Sequence, residues 1–173
     1  MRGAGGADGR RRAWGCLAGL RYRGVITLKH TVLIYRPLED VVAVAGDPAR
    51  DALWMATVMA SELLSDGPLA VGARYRHVGK FLGRSAEPVY EVTELGPEGR
   101  LCLTSVDSPI PIRECREFRG QGRDTRFTRT IEAEIGSFFR ISESLVGMAA
   151  RRQLETDLEV LKIFLDARAD VEA

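Results

Sequence analysis

Ligands for metals and cofactors are scarce in this 173-residue chain. It holds two histidines, His30 and His77, and three cysteines, Cys16, Cys102 and Cys115. An odd, widely spaced set of cysteines is neither a disulfide framework nor a zinc site. No HExxH pair, glycine-rich phosphate loop or GxSxG elbow occurs. "GVITLKH" lacks the further glycines of a dinucleotide fingerprint. No bound metal and no cofactor are therefore expected. No apolar run approaches the roughly 20 residues of a membrane helix, and neither a repeat nor a coiled-coil heptad run is present. A basic surface is lacking too. Residues 1–24 hold six arginines against one aspartate, leaving 19 basic and 23 acidic side chains for the rest. A mildly acidic body is a poor match for phosphate, so no nucleic acid partner is expected.

What is present suits an ordinary globule: 45% hydrophobic and 28% charged residues, in a length sufficient for one core. The first 24 residues, "MRGAGGADGRRRAWGCLAGLRYRG", differ in kind, being rich in Gly and Arg. An export signal would use "RRR" as its basic head and "AWGCLAGL" as its apolar run. Two glycines weaken that run, "RYRG" follows it, and no small-x-small cleavage site is evident. The favoured reading is a disordered or artefactual tail, with translation starting at Val25 as one route to the latter. A single domain over residues 25–170 and a cytoplasmic location are expected.

The order of elements is more informative. "TVLIY" belongs to a strand over residues 26–36 that stops at Pro37. Leu38 to Ala45 reads as a short helix. Asp47 can cap a second, with Pro48 in its first position and Trp54 at its close. Strands follow near 56–64, 72–82, 85–94, 100–106, 110–118 and 125–134, separated by the turn-formers "SDGP", "LGR", "GPEG", "DSP" and "GQGR". The tail from about Ser137 to Arg168 reads as helix, with Leu154, Leu158, Leu161 and Leu165 forming one apolar stripe. An antiparallel sheet must bury one face, and the last helix is its only large apolar partner. A curved sheet of about seven strands wrapped on that helix encloses more space than the helix fills. The two small helices then plug one end. Trp54, with Val41 and Val44, either lines that plug or is simply a core residue.

Side-chain alternation assigns the faces. A two-residue turn at Gly83-Arg84 pairs Tyr75 with Val92 and His77 with Tyr90. Tyr75, His77, Phe81, Tyr90 and Val92 then face inward, and Arg74, Arg76 and Lys80 face out. A turn at 107–109 puts Leu101, Leu103, Ile112, Glu114, Arg116 and Phe118 on one face and sets Cys102 against Cys115 on the other, close but reduced as in a cytosol. A four-residue loop at 120–123 places Phe127, Arg129 and Ile131 across from Arg116, Glu114 and Ile112, so that Glu114 and Arg129 meet on the concave side. Such a pair is a structural ion pair, a polar handle for a mostly apolar ligand, or the product of a one-residue register slip. His77 is a proton donor or acceptor near neutral pH, or a satisfied hydrogen-bonder.

These pieces resemble a known family. "HTVLIYRPLEDVVAVAGDPARDALW", "GPLAVGARYRHVGKFLGR", "YEVTELGPEGRLCLTS" and "RRQLETDLEVLKIFL", in that order, look like the SRPBCC or START-like superfamily and its polyketide cyclase/dehydrase and lipid-transport subgroup. The resemblance covers residues 26–168 and implies an α+β helix-grip fold. It supplies no catalytic residue set, because the fold carries cyclases, carriers, receptors and co-chaperones alike. The expected function is binding of a small hydrophobic molecule of lipid, polyketide or isoprenoid type in an internal cavity, as a carrier or binding protein. The alternatives are a cofactor-free cyclase or dehydratase in the same cavity, with His77 as the candidate catalytic residue, or a protein-interaction module. The candidate ligand-binding set is Trp54, Tyr75, His77, Phe81, Tyr90, Val92, Leu103, Glu114, Arg116, Phe118, Phe127, Arg129 and Leu158. The oligomeric state is left open.

Overall fold

The computed structural model describes residues 24–96, 99–135, 139 and 142–172; the expected N-terminal tail, residues 1–24, lies outside them except for Gly24. Strand β1 (Val25–Ile34) is followed by helix α1 (Leu38–Ala45) and a 3-10 helix (Pro48–Leu53). Six further strands and a short one come next: β2 (Val58–Leu63), β3 (Arg74–Phe81), β4 (Arg84–Ala86), β5 (Val89–Gly96), β6 (Arg100–Asp107), β7 (Ile112–Gln121) and β8 (Asp124–Glu134). Helix α2 (Glu143–Glu172) closes the chain. The strands form one antiparallel sheet in the order β1-β8-β7-β6-β5-β3-β2, with β4 paired to β3. The expected helix-grip architecture is what the structure has: a sheet curled on a long helix, with two short helical segments after the first strand.

Local chemistry explains the segment between β1 and β2. Pro37 sits at the N-cap of α1, which turns Val41, Val44 and Ala45 into the core. The Asp47 carboxylate accepts from the Ala49 N–H at 3.0 Å and Pro48 fills the first position after it, as the sequence implied. This second segment is 3-10 rather than α, and six residues are too few for a longer helical ladder. Trp54 follows it, buried, with its ring edge-on to Phe127 at 6.1 Å. Along α2, Leu154, Leu158, Leu161 and Leu165 are all buried against Leu28, Ile34, Trp54, Phe118 and Phe127. A second apolar cluster, Ala73, Tyr75, Tyr90, Val92, Leu101 and Leu103, fills the β3–β5–β6 part of the sheet.

Two registers differ from expectation by two residues. The first hairpin turns at Leu82-Gly83, not Gly83-Arg84, and both residues have positive φ, 48° and 79°. That is the pattern of a tight primed turn, in which the glycine takes the second position. Tyr75 therefore pairs with Tyr90 rather than Val92, and Pro88 interrupts the returning strand. The β7–β8 loop is two residues, with Gln121 opposite Asp124, so Arg116 faces Arg129 and Glu114 faces Ile131. A shift of two preserves the faces, so the inward sets are as expected. The β6–β7 register matches expectation, pairing Cys102 with Cys115. The two sulfurs are joined as a disulfide, however, across Cα atoms 4.1 Å apart, which corrects the expected reduced pair. Directly paired residues in an antiparallel ladder lie close enough for that bond to close. The last helix spans Glu143–Glu172, and its expected start at Ser137 lies outside the described residues. No helix among the described residues is long and apolar enough to cross a membrane.

Candidate functional site

A chain of buried charges runs across the concave side of the sheet. Its first member, Asp51, comes from the 3-10 helix. Arg116 on β7 donates to it twice, from Nη1 at 2.8 Å and Nη2 at 2.6 Å. Arg116 also donates to Glu114 Oε1 at 2.7 Å and to the Ala45 carbonyl at 2.8 Å. Glu114 accepts at its other oxygen from Arg129 Nη2 at 2.8 Å. Arg129 Nη1 reaches Asp157 of α2 at 3.4 Å. Asp157 is held in turn by the Ala56 N–H at 3.0 Å and Gln153 Nε2 at 2.7 Å. The Trp54 ring lies near both cations, with its centroid 5.4 Å from the Arg116 guanidinium carbon and 5.3 Å from that of Arg129.

Alternation on β7 makes this possible. Glu114 and Arg116 are two residues apart and so share a face, while Arg129 stands directly across from Arg116. Fully desolvated charges persist only when paired in this way. Burial pushes Asp51 up to about 6 against the pull of Arg116. It also raises Glu114, but Arg129 and Arg116 together override it and hold that carboxyl far below the usual range. Both guanidiniums are held charged, as their carboxylate partners outweigh the cost of burial. Burial, helped by the Arg116 charge, lowers His77 to about 4, so its imidazole is neutral at physiological pH. Its Nε2 stands 3.4 Å from Asp51 Oδ2, an approach too poorly aligned for a hydrogen bond.

Beside this network the structure leaves open space. Two adjoining lobes of about 150 Å³ each share Thr57, Phe81, Ile110 and Phe139 as wall. The rings of Phe81 and Phe139 meet edge-on there at 5.5 Å. Lobe one lies over β3 and β5, bounded by Val58, Pro88, Pro109, His77 and Tyr90, with Lys80 and Arg84 also on its wall. Lobe two lies between the sheet and α2. Its walls are Ile26, Leu28, Ile131, Ile135, Val146 and Leu154, and its polar side is Arg129, Gln153 and Asp157. Both lobes are lined mainly by apolar side chains, and a cavity of about 150 Å³ is large enough for a benzene-sized molecule.

The sequence-derived candidates thus fall into three places. His77, Phe81, Tyr90 and Arg129 border the lobes. Glu114 and Arg116 stand in the charge network behind them. Trp54, Phe118, Phe127 and Leu158 are packed in the main core, and Tyr75, Val92 and Leu103 in the smaller cluster. Sequence reasoning passed over Asp51 and Asp157. Asp157 carried a readable signal, since it sits beside Leu158 and three residues after Leu154 on the stripe that meets the sheet, where a lone charge needs a partner. Asp51 had no such mark, because only the tertiary fold brings it to Arg116. Thr57, Ile110 and Gln153 were likewise invisible as cavity wall.

No protein-family model matches this chain, and no functionally described protein does so by sequence. Solved structures do match. The chain is similar to a START superfamily protein from Mycobacterium smegmatis, with TM-score 0.69 and 14% identity over 85% of this chain and 99% of that one. The fold is START-like. It is equally similar to the Zhui aromatase/cyclase of a Streptomyces species, with TM-score 0.70 and 13% identity over 84% and 96% of the two chains. A protein from Thermus thermophilus superposes with TM-score 0.69 and 19% identity over 83% and 99%. At these identities the likeness is one of START-like architecture.

Proposed function

We propose that this START-like domain binds a small hydrophobic molecule, of lipid, polyketide or isoprenoid type, in the cleft between its sheet and α2, as a carrier or binding protein. The observation that carries this reading is the pair of adjoining apolar lobes, each walled by side chains from several strands and edged by a few buried polar groups. That composition is typical of small-molecule sites. The similar structures include an aromatase/cyclase, which fits the same class of ligand. The acidic body gives no reason to add a nucleic acid partner. The proposed location is cytoplasmic.

The test is binding of a naphthalene-type fluorescent probe to the parent and to Ala150→Phe, which adds a ring to the wall of lobe two from α2. Probe binding should be lost or sharply weakened in that variant. Arg74→Ala is the control, because Arg74 pairs with Glu91 at 2.9 Å on the outer face and should leave binding alone. A parent that takes up no apolar probe removes the basis of the reading. Tyr75→Ala is unsuitable as a binding variant, since Tyr75 is packed in the core and its loss would report on folding.

One observation favours a second reading, a cofactor-free cyclase or dehydratase. His77 and Tyr90 border lobe one with their rings 5.0 Å apart, and the His77 imidazole is neutral and backed by Asp51. The lowered His77 is a weak proton acceptor, so in this reading the imidazole and the Tyr90 hydroxyl, which burial keeps protonated, polarise a bound carbonyl rather than act as a base. Turnover of a polyketide-like substrate that is abolished in His77→Ala, with probe binding intact, would put the enzyme reading first.

A further inference from the structure

Lobe two has a polar side of unusual charge balance, and that balance bears on what can enter. Among the described residues the buried charges here are the carboxylates of Asp51, Glu114 and Asp157 and the guanidiniums of Arg116 and Arg129, with His77 neutral. Carboxylates outnumber cations. No cation is left over. Arg129, the cation bordering lobe two, has Nη1 on Asp157 and Nη2 on Glu114 and beside Met55 Sδ at 3.2 Å. Its remaining nitrogen, Nε, has no hydrogen-bond partner and is enclosed by its surroundings. A carboxylate is recognised by a guanidinium through two parallel N–H donors. Arg129 has no such edge to give.

From this, and resting on the ligand-binding reading above, we infer that lobe two excludes anionic molecules and takes a ligand whose inner end is uncharged, such as an aromatic ring, ketone, amide or alcohol. A carboxylate in that lobe would lose its water and face Asp157 across a low-dielectric space, with Arg129 already committed. An ammonium would shed its water as well, and the oxygens of Asp157 already accept from Arg129, Ala56 and Gln153. Lys80 and Arg84 border lobe one rather than lobe two. A fatty acid therefore cannot place its carboxylate at the inner end of the cleft. Arg129 acts as a neutralised part of the wall rather than as a charged handle for the ligand.

The experiment compares 2-naphthamide, 2-naphthoate and 2-naphthylmethylammonium by isothermal calorimetry at pH 7.5 on the whole chain. The first two have nearly the same shape and differ in charge. The amide should bind about tenfold or more tighter than the carboxylate, and tighter than the ammonium. In Asp157→Asn, which keeps the side-chain shape and removes one negative charge, the affinity of naphthoate relative to naphthamide should rise several-fold. Glu159→Gln, an exposed acid on the same helix, should change neither. Naphthoate or the ammonium binding as tightly as the amide, or an unchanged ratio in Asp157→Asn, would overturn the inference and leave the ligand-binding reading standing. If Asp157→Asn does not fold, the ratio of amide to carboxylate in the parent decides. Binding of none of the three removes the ligand-binding reading itself.

Discussion

Replacing Arg116 by methionine removes the cation at the centre of the charge network and keeps most of the side-chain volume. Arg116 is fully buried. Its loss breaks the two bonds to Asp51, one to Glu114 and one to the Ala45 carbonyl. Glu114 retains Arg129, but Asp51 is left buried with no cation bonded to it. Removing one partner of a buried ion pair costs about 3–5 kcal/mol. The pH dependence carries the sharper test. In the parent, Asp51 rises from 3.8 to about 6, so its contribution falls as pH rises through that window. His77 falls from 6.5 to about 4 and contributes in the opposite sense over nearly the same range. Glu114 is depressed, so its contribution is present above its ordinary value of 4.5 and lost on acidification below it. Without Arg116 the carboxyl of Asp51 moves further up, and part of the support for ionised Glu114 is gone. The deficit of the variant should therefore be largest at pH 7.5 and shrink toward pH 5, where Asp51 takes up a proton. Urea unfolding at both pH values measures it. A deficit below about 1 kcal/mol at pH 7.5, or one that grows on acidification, would refute the reasoning.

Three further outcomes are expected. Leu158→Ala should cost about 2–5 kcal/mol in urea unfolding, since Leu158 is fully buried between α2 and the sheet. Leu82→Asn should stabilise the chain by about 1 kcal/mol, read as a rise in Tm, because Leu82 has φ 48° and is exposed, and asparagine tolerates that backbone better. Dithiothreitol should lower stability by about 3 kcal/mol, as expected for opening a loop of this length; an unchanged Tm under reduction would show that the Cys102–Cys115 bond contributes nothing.

The fold was legible because its signals are local and repeated. Pro37, the Asp47-Pro48 cap, the turn glycines and the leucine stripe from Leu154 to Leu165 each fix one element, and their order leaves one arrangement in which the sheet can bury a face. Faces were legible too, since alternation survives a register shift of two. Exact register was not. It hinged on whether Gly83 takes the first or second turn position, which positive φ at Leu82 decides and leucine does not advertise. The inward Glu114–Arg129 contact was readable from alternation on β7 and β8. Asp51 was not, because 65 residues separate it from Arg116 and nothing in "PARDALW" points to that partner. The cavity wall was the least legible part: inward-facing residues divide between packed core and open space according to how the sheet curls, which no local pattern encodes.

The charge network joins the 3-10 helix, β7, β8 and α2, segments far apart along the chain. Charges of this kind are better solvated in the open chain than half-assembled, so none is favoured to leave water until the others are in place. The sheet and its helix can come together through apolar contacts first, with the network closing last. Interactions made after the rate-limiting step slow unfolding and leave the folding rate unchanged. Arg116, Glu114 and Asp51 would then act as a latch on the lifetime of the folded molecule. In stopped-flow measurements Arg116→Met should speed unfolding while its folding limb overlays that of the parent, and a slowed folding limb would place the network in the nucleus instead.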